Sequence, residues 1–384
     1  MTDGTPTTGT EYQAKTQHDG DAVIIGGGCA GLSLARHAQS LPHQRVAIIE
    51  GKAKRQDHAW GVFASDSLKE IAADALAMTR KTWHRWQIIT AEGTATQTSQ
   101  TRPYACLESK AWLTYCRQQA RENGVRFIHD QVISADAHSI TTSTETITTD
   151  QVYDSRPNPI PTGMMIQHFI GHEIQVASPV FDPDTAILMD FRCDQSRGIH
   201  FIYVLPFSAT QALVESTVFS PQIEDNDFYE TAIAAYLKDQ FNITEKIVLR
   251  REQGAIPMGI IPEDHRTGLP IGGRGGAIRP SSGYAFAFIQ RQLTSLIDNL
   301  ATGNLPTRMT PHHKIDLLMD RLFLKVLHRK PKLAPRLFHA MAQKLTGDEM
   351  ARFMAGEADH ALRLKVIMAM PKWPFIWALI SGID

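Results

Sequence analysis

The period of apolar positions changes several times along this chain, and each change marks an element. Ala22–Ile25 is a continuous apolar run, the pattern of a strand buried on both faces. The stretch "GGGCAGLSLARHA" then reads as a glycine-rich turn opening a helix, and "RVAIIE" as the next strand, ending at Glu50. This β-α-β unit has the length of about thirty residues that a parallel crossover needs. "KTWHRWQIITAEG" and "GTATQTSQT" predict a strand pair turning at Gly93. "SKAWLTYCRQQARENG" predicts a helix ending at Gly124, and several short strands follow, finishing at Asp154.

The texture then becomes β-rich. "TAILMDFRC", "IHFIYVLPFS" and "QALVESTVFS" are three strand-like runs with short polar connections, which predicts an antiparallel sheet. In the last of them, period two places Leu213, Glu215, Thr217 and Phe219 on one face, and Ala212, Val214, Ser216 and Val218 on the other. Glu215 is thus either an exposed edge charge or a buried acid with a chemical task. "DNDFYETAIAAYLKDQF" predicts an amphipathic helix. "GGRGGAIRPSSGYAF" is a second glycine-rich loop feeding a helix whose stripe is Phe286, Ile289, Leu293, Leu296, Ile297 and Leu300. From about residue 311 onward the pattern is helical, with breaks at Pro331, Pro335, Pro371 and Pro374.

Composition narrows the classes. The chain has 384 residues, enough for more than one sub-domain, and a formal net charge of −1, which offers no steering toward nucleic acid. The four cysteines, Cys29, Cys106, Cys116 and Cys193, have neither CxxC nor metal-site spacing and read as reduced thiols of a cytoplasmic protein; no metal site is expected. The first twenty residues are polar and read as a disordered tail rather than a signal peptide. No apolar stretch reaches the roughly 18 residues of a membrane span. "VIMAMPKWPFIWALI" is interrupted by Pro371, Lys372 and Pro374.

Two loops carry the candidate cofactor chemistry. Gly26, Gly28 and Gly31 match G-x-G-x-x-G between strand and helix. The first glycine permits the turn, the second admits a pyrophosphate, the third lets helix pack on strand, and the helix N-terminus favours phosphate. Glu50, nineteen residues past Gly31, is placed to hydrogen-bond an adenosine ribose. This motif alone does not separate FAD from NAD. The second loop, with Gly276, Pro280 and Gly283, favours a two-part flavin site whose helix N-terminus faces the isoalloxazine ring.

With both loops in place, the chain resembles the bacterial lycopene β-cyclases, FAD-dependent carotenoid cyclases. The likeness runs from about residue 21 to the C-terminus. It is carried by "DAVIIGGGCAGLSLA", "DHAWGVF", "VYDSRP", "FIYVLPFSATQALVESTVFS", "IPMGIIP", "GGAIRPSSGYAFAFIQRQ" and the helical tail. The resemblance implies a Rossmann-type α/β FAD-binding domain, an inserted antiparallel substrate sheet and a helical C-terminal region. It implies conversion of the ψ-ends of lycopene to β-ionone rings without net redox change. FAD acts there in its reduced form, with a reductant such as NAD(P)H, and lycopene or a related acyclic carotenoid is the substrate. Glu215 then becomes the proton donor, with Trp60, Asp190 and Phe219 around the substrate or its cation. The family's segment around the acid reads Phe-Leu-Glu-Glu-Thr or Leu-Ile-Glu-Asp-Thr, so Ser216 stands where a second acid is usual. Its early Thr-Trp-Ser/Cys-Phe is here Ala59-Trp60-Gly61-Val62.

The expected division is a tail over 1–20, an FAD domain over 21–160 with 255–303, a substrate sheet over 161–254 with parts of 57–100, and helices over 304–384. Asp190 reads equally as a hydrogen-bonded structural acid, and Asp154 with Arg156 equally as a plain ion pair. Between Arg321 and Lys344 lie seven Lys or Arg and no acid, and Trp373, Phe375 and Trp377 follow. That pattern fits either a solvated basic face over core aromatics or peripheral docking on the cytoplasmic membrane. The sequence is silent on oligomeric state. A redox flavoenzyme, such as an isoprenoid reductase or monooxygenase, and a non-catalytic isoprenoid-binding homologue are the alternatives.

Overall fold

The computed structural model describes residues 21–51, 56–262 and 268–380; the polar tail over 1–20 lies outside them. A five-stranded parallel sheet has the order Leu269–Pro270, Gln151–Asp154, Asp21–Ile25, Arg45–Glu50, Arg126–His129. The strand Asp21–Ile25 is buried at every residue because both its faces are covered. Ala22 and Ile24 pack with Leu32, Trp112, Cys116, Leu293 and Leu296 of the helices Cys29–Ala35, Ser109–Glu122 and Phe286–Ala301. Val23 and Ile25 face Ile140 and Ile147 of a three-stranded sheet on the other side. The continuous apolar run therefore follows from a two-sided burial that alternation would not satisfy.

The second large sheet has seven strands, in the order Ile247–Met258, Met165–Gln175, Gln211–Ser220, Ile199–Pro206, Thr185–Asp190, Arg85–Thr90, Gly93–Thr98. Its pairs are antiparallel except one: Thr185–Asp190 runs parallel to Arg85–Thr90, where the early hairpin joins the later strands. One face packs on the helix Asn226–Phe241, with Ala212 and Val214 against Ile233, Tyr236 and Leu237. The other turns Leu213 and Phe219 toward a core shared with the C-terminal helices Ala334–Lys344 and Gly347–Met354. A small sheet of Ala59–Phe63, Tyr104–Glu108 and Thr79–Trp83 lies between the two large ones. The C-terminal region is helical, and Pro371 separates the helices His360–Ala369 and Lys372–Ile380. No helix among the described residues is long and apolar enough to cross a membrane.

Candidate active site

Alternation along Gln211–Ser220 puts Glu215, Thr217 and Phe219 on the wall of one apolar cavity of about 470 Å³. Neighbouring strands supply Phe169, Phe201 and Tyr203. The small sheet supplies Trp60, Gly61 and Tyr104, and the C-terminal helices supply Phe338, Met341, Met350 and Met354. Glu215 is 8 % exposed. Burial pushes its carboxyl well above the ordinary glutamate range. The neighbouring Glu252 carboxyl adds to that shift, and Arg250 opposes it. A buried carboxyl whose proton is held more tightly than an ordinary glutamate's thus faces an apolar chamber.

Aromatic faces surround that acid. Tyr203 stands directly across from Glu215 in the neighbouring strand, and its hydroxyl lies 2.9 Å from that of Tyr104. Tyr284 donates to the Tyr104 hydroxyl at 3.4 Å. Gly61 makes room for this cluster: a Cβ there would lie 1.8 Å from the Tyr104 hydroxyl. Trp60 packs on Phe286 with ring centroids 5.7 Å apart, and Phe219 meets Phe201 edge-on at 5.2 Å.

The glycine cradle adjoins the same chamber. Gly28 caps the helix Cys29–Ala35, and Cys29 lines the cavity. A Cβ at Gly31 would lie 1.8 Å from the Gly26 carbonyl, and one at Gly27 would lie 2.1 Å from a Glu50 carboxylate oxygen. Gly26 itself has φ +99°, which an L side chain rarely adopts. Glu50 is buried at its strand end, where Arg117 pairs with both carboxylate oxygens and His129 Nδ1 lies 3.3 Å away. From the second loop, Gly283 reaches the cavity wall at φ +71°, while Gly276 and Pro280 shape the loop behind it. Gln167 Oε1 and Ser282 Oγ are cavity-lining polar atoms, buried without a hydrogen-bond partner among the described residues. A close-packed glycine turn, a strand-end acid and orphaned polar atoms between the two loops fit a dinucleotide with a polar ring edge.

Asp190 is elsewhere. It is not among the residues lining the cavity. Its carboxylate accepts from Arg192 Nε at 3.0 Å, from Arg192 Nη2 at 2.7 Å and from the Tyr236 hydroxyl at 2.8 Å. Those partners satisfy it on the helix-covered side of the sheet, away from Glu215. Asp154 and Arg156 form an ion pair at 2.7 Å, and the Asp154 carbonyl accepts from Ile271 N, so the pair anchors the start of the second loop. Ser216 faces away from the cavity. Its hydroxyl donates to His200 Nε2 at 2.9 Å, while His200 Nδ1–H donates to the Asp194 carbonyl at 2.7 Å.

Glu252, Gly171 and the three tyrosines escaped the sequence reading. Glu252 is the buried residue among exposed neighbours in "LRREQG", but alternation in an edge strand that carries charge on both faces does not mark it. The tyrosines come from three separate segments, and no local spacing joins them.

The chain matches the family described as lycopene cyclase protein over residues 21–379. The lycopene beta-cyclase of Pantoea ananas is 25% identical, covering 94% of this chain and 97% of its own. That of a Paracoccus strain is 27% identical, covering 92% and 95%. Among solved structures, a geranylgeranyl bacteriochlorophyll reductase-like protein from Thermoplasma acidophilum shares the fold with a TM-score of 0.61 at 14% identity, over 95% of this chain and 99% of its own. A Klebsiella pneumoniae HpxO variant complexed with FAD gives 0.62 at 13% identity, over 92% and 99%. Those two likenesses concern the fold alone. Because one family accounts for the chain from its first strand to its last helix, the protein belongs to the lycopene cyclases.

Proposed function

We propose that this enzyme is a lycopene β-cyclase that closes the ψ-ends of lycopene into β-ionone rings by acid initiation, with Glu215 as the proton donor and no net redox change. The observation that carries the reading is the Glu215 carboxyl, buried on the wall of an aromatic cavity where burial raises its pKa. An alkene is a weak base, so its donor must hold its proton near neutral pH and meet the substrate away from water. Glu215 delivers that proton to the terminal double bond. The next double bond attacks the resulting tertiary cation, the ring closes, and a proton leaves. The faces of Trp60, Phe219 and Tyr203 stabilise the travelling positive charge. The apolar walls exclude water that would quench it.

FAD is the proposed cofactor, reduced by a donor such as NAD(P)H, and when bound it supplies negative charge beside the cation. Gly26, Gly28, Gly31 and Glu50 would hold its adenosine diphosphate half. Gly276, Pro280 and Gly283, with Gln167 and Ser282, would hold its ring end. Access to a membrane-dissolved carotenoid is assigned to the C-terminal helices. Trp373 is 81 % exposed, Trp377, Leu364 and Met368 are exposed beside it, and Arg329 lies over the Trp377 ring.

The test is Glu215→Gln, assayed with lycopene and chemically reduced FAD and read by chromatography and product mass. Ring formation should fall by about 10²–10⁴-fold while flavin stays bound. Retained cyclisation would overturn the acid assignment. A product heavier by hydrogen or oxygen would favour a reductase or monooxygenase instead.

A further inference from the structure

Three adjacent strands place Glu215, Gly171 and Glu252 side by side on one face of the sheet: Gly171 pairs with Glu215 on one side and with Glu252 on the other. Two carboxylates on alternate strands normally have a side chain between them. Here the intervening residue has none. A Cβ built on Gly171 would lie 2.7 Å from Glu215 Cγ and 3.1 Å from Glu252 Cγ, so the glycine is what lets the two acids meet. Glu252 is 1 % exposed and does not line the cavity; it stands behind Glu215.

The surroundings of the two carboxyls differ. Glu252 Oε2 accepts from the Ala59 backbone N–H at 2.9 Å and lies 3.8 Å from Arg250 Nη2. Glu252 Oε1 is buried with neither an N–H nor a hydroxyl donor among the described residues. The carboxyl proton of the neighbouring Glu215 can fill that place. A buried acceptor that lacks its donor is costly, more so when charged, so one proton between the two acids is favoured over none.

We propose that Glu252 is a positioning residue for the cyclisation: the two buried carboxyls share a single proton, with Glu252 the ionised partner that keeps Glu215 protonated and aimed into the cavity. This rests on Glu215 being the proton donor. On transfer, the Glu215 O–H bond breaks and a C–H bond forms on the substrate, leaving two carboxylates in contact. Their repulsion strengthens Glu215 as a base, so the proton released after ring closure restores the pair, and no co-reactant is consumed. The other titratable or charged groups facing the pair are Tyr203, Cys106 on the small sheet and Arg250; Tyr104 and Tyr284 lie behind, against the Tyr203 hydroxyl. Arg250 is itself paired to Glu173 at 3.1 Å and Asp57 at 3.2 Å.

The experiment compares the pH dependence of kcat/KM for lycopene in the FAD-loaded enzyme, its Glu252→Gln and Glu252→Asp variants, and Glu215→Gln. Loss of the ionised neighbour should move the alkaline limb of Glu252→Gln toward lower pH, by one pH unit or more. Above the limb that is a loss of about ten-fold per unit. Glu252→Asp should restore part of the shift, and bound flavin should stay constant in all. The infrared band of a neutral carboxyl should disappear in Glu215→Gln, and in Glu252→Gln it should be lost at a lower pH than in the parent. Profiles and band that superimpose for Glu252→Gln and the parent, with Glu215→Gln inactive, would overturn the role of Glu252. An active Glu215→Gln would instead remove the acid assignment on which it rests.

Discussion

Glu215 is held under opposed demands of stability and chemistry. Its carboxyl is raised by burial first and by Glu252 second. With the folded value above the unfolded one, its contribution to stability is complete below the ordinary carboxylate range and is lost as pH rises through the elevated value. Cyclisation should fall along the same alkaline limb, because the neutral form is the donor. Glu215→Gln should cost about 10²–10⁴-fold in kcat and yet melt at higher temperature than the parent, by a margin that widens with pH. Parallel turnover and calorimetry over a pH series check both. Gly61 gives a second prediction. Gly61→Ala should displace the Tyr104–Tyr203 hydroxyl pair, destabilise by about 1–3 kcal/mol and slow turnover several-fold, as read by denaturant melts and initial rates. The alternation around Glu215 was legible in the chain, since Leu213 and Phe219 share its face. That Gly61 leaves room for a hydroxyl was not, because the hydroxyl belongs to Tyr104, a partner met only across the sheet.

At the scale of the strand, Ser216 resolves by orientation. It sits where the family usually carries a second acid, but it points to the opposite face, into a hydrogen bond with the buried His200, whose imidazole burial keeps neutral. Ser216→Ala should therefore leave cyclisation within about three-fold while costing about 1–3 kcal/mol for the stranded imidazole nitrogen. A rate loss as large as that of Glu215→Gln would contradict this. Asp190 shows the limit of strand reasoning. Its alternation with Leu188 and Ala186 was visible, but whether it met substrate or a cation depended on Arg192 and on Tyr236, which a helix far along the chain brings to it. The helix Phe286–Ala301 was readable from its stripe because its apolar spacing is a local property; Phe286, Ile289, Leu293, Leu296 and Leu300 are buried as that spacing requires.

Across the whole molecule, the cavity is assembled from the seven-stranded sheet, the small sheet and the second loop and roofed by the C-terminal helices, so each contributes residues that the others need. The exposed apolar residues Trp373, Ile380 and Leu364 lie on those last helices, near the exposed basic residues Arg329, Lys330 and Lys332. Replacing Trp373 and Ile380 with glutamate should lower co-sedimentation with anionic vesicles and raise KM for vesicle-held lycopene, leaving turnover of detergent-dispersed lycopene unchanged. Unaltered sedimentation would remove the membrane assignment. The sequence by itself determined the glycine turn after the first strand, the parallel unit ending at Glu50, the second loop and the face on which Glu215 stands. Each of these is set by backbone geometry or periodicity within a few residues. Only the tertiary structure decided that this face looks into an apolar cavity, that Gly171 lets Glu252 reach Glu215, and that Asp190 turns away. Burial, dielectric and the charges beside a carboxyl come from strands distant in the chain, and a carboxyl's protonation follows those neighbours rather than its own place in the sequence.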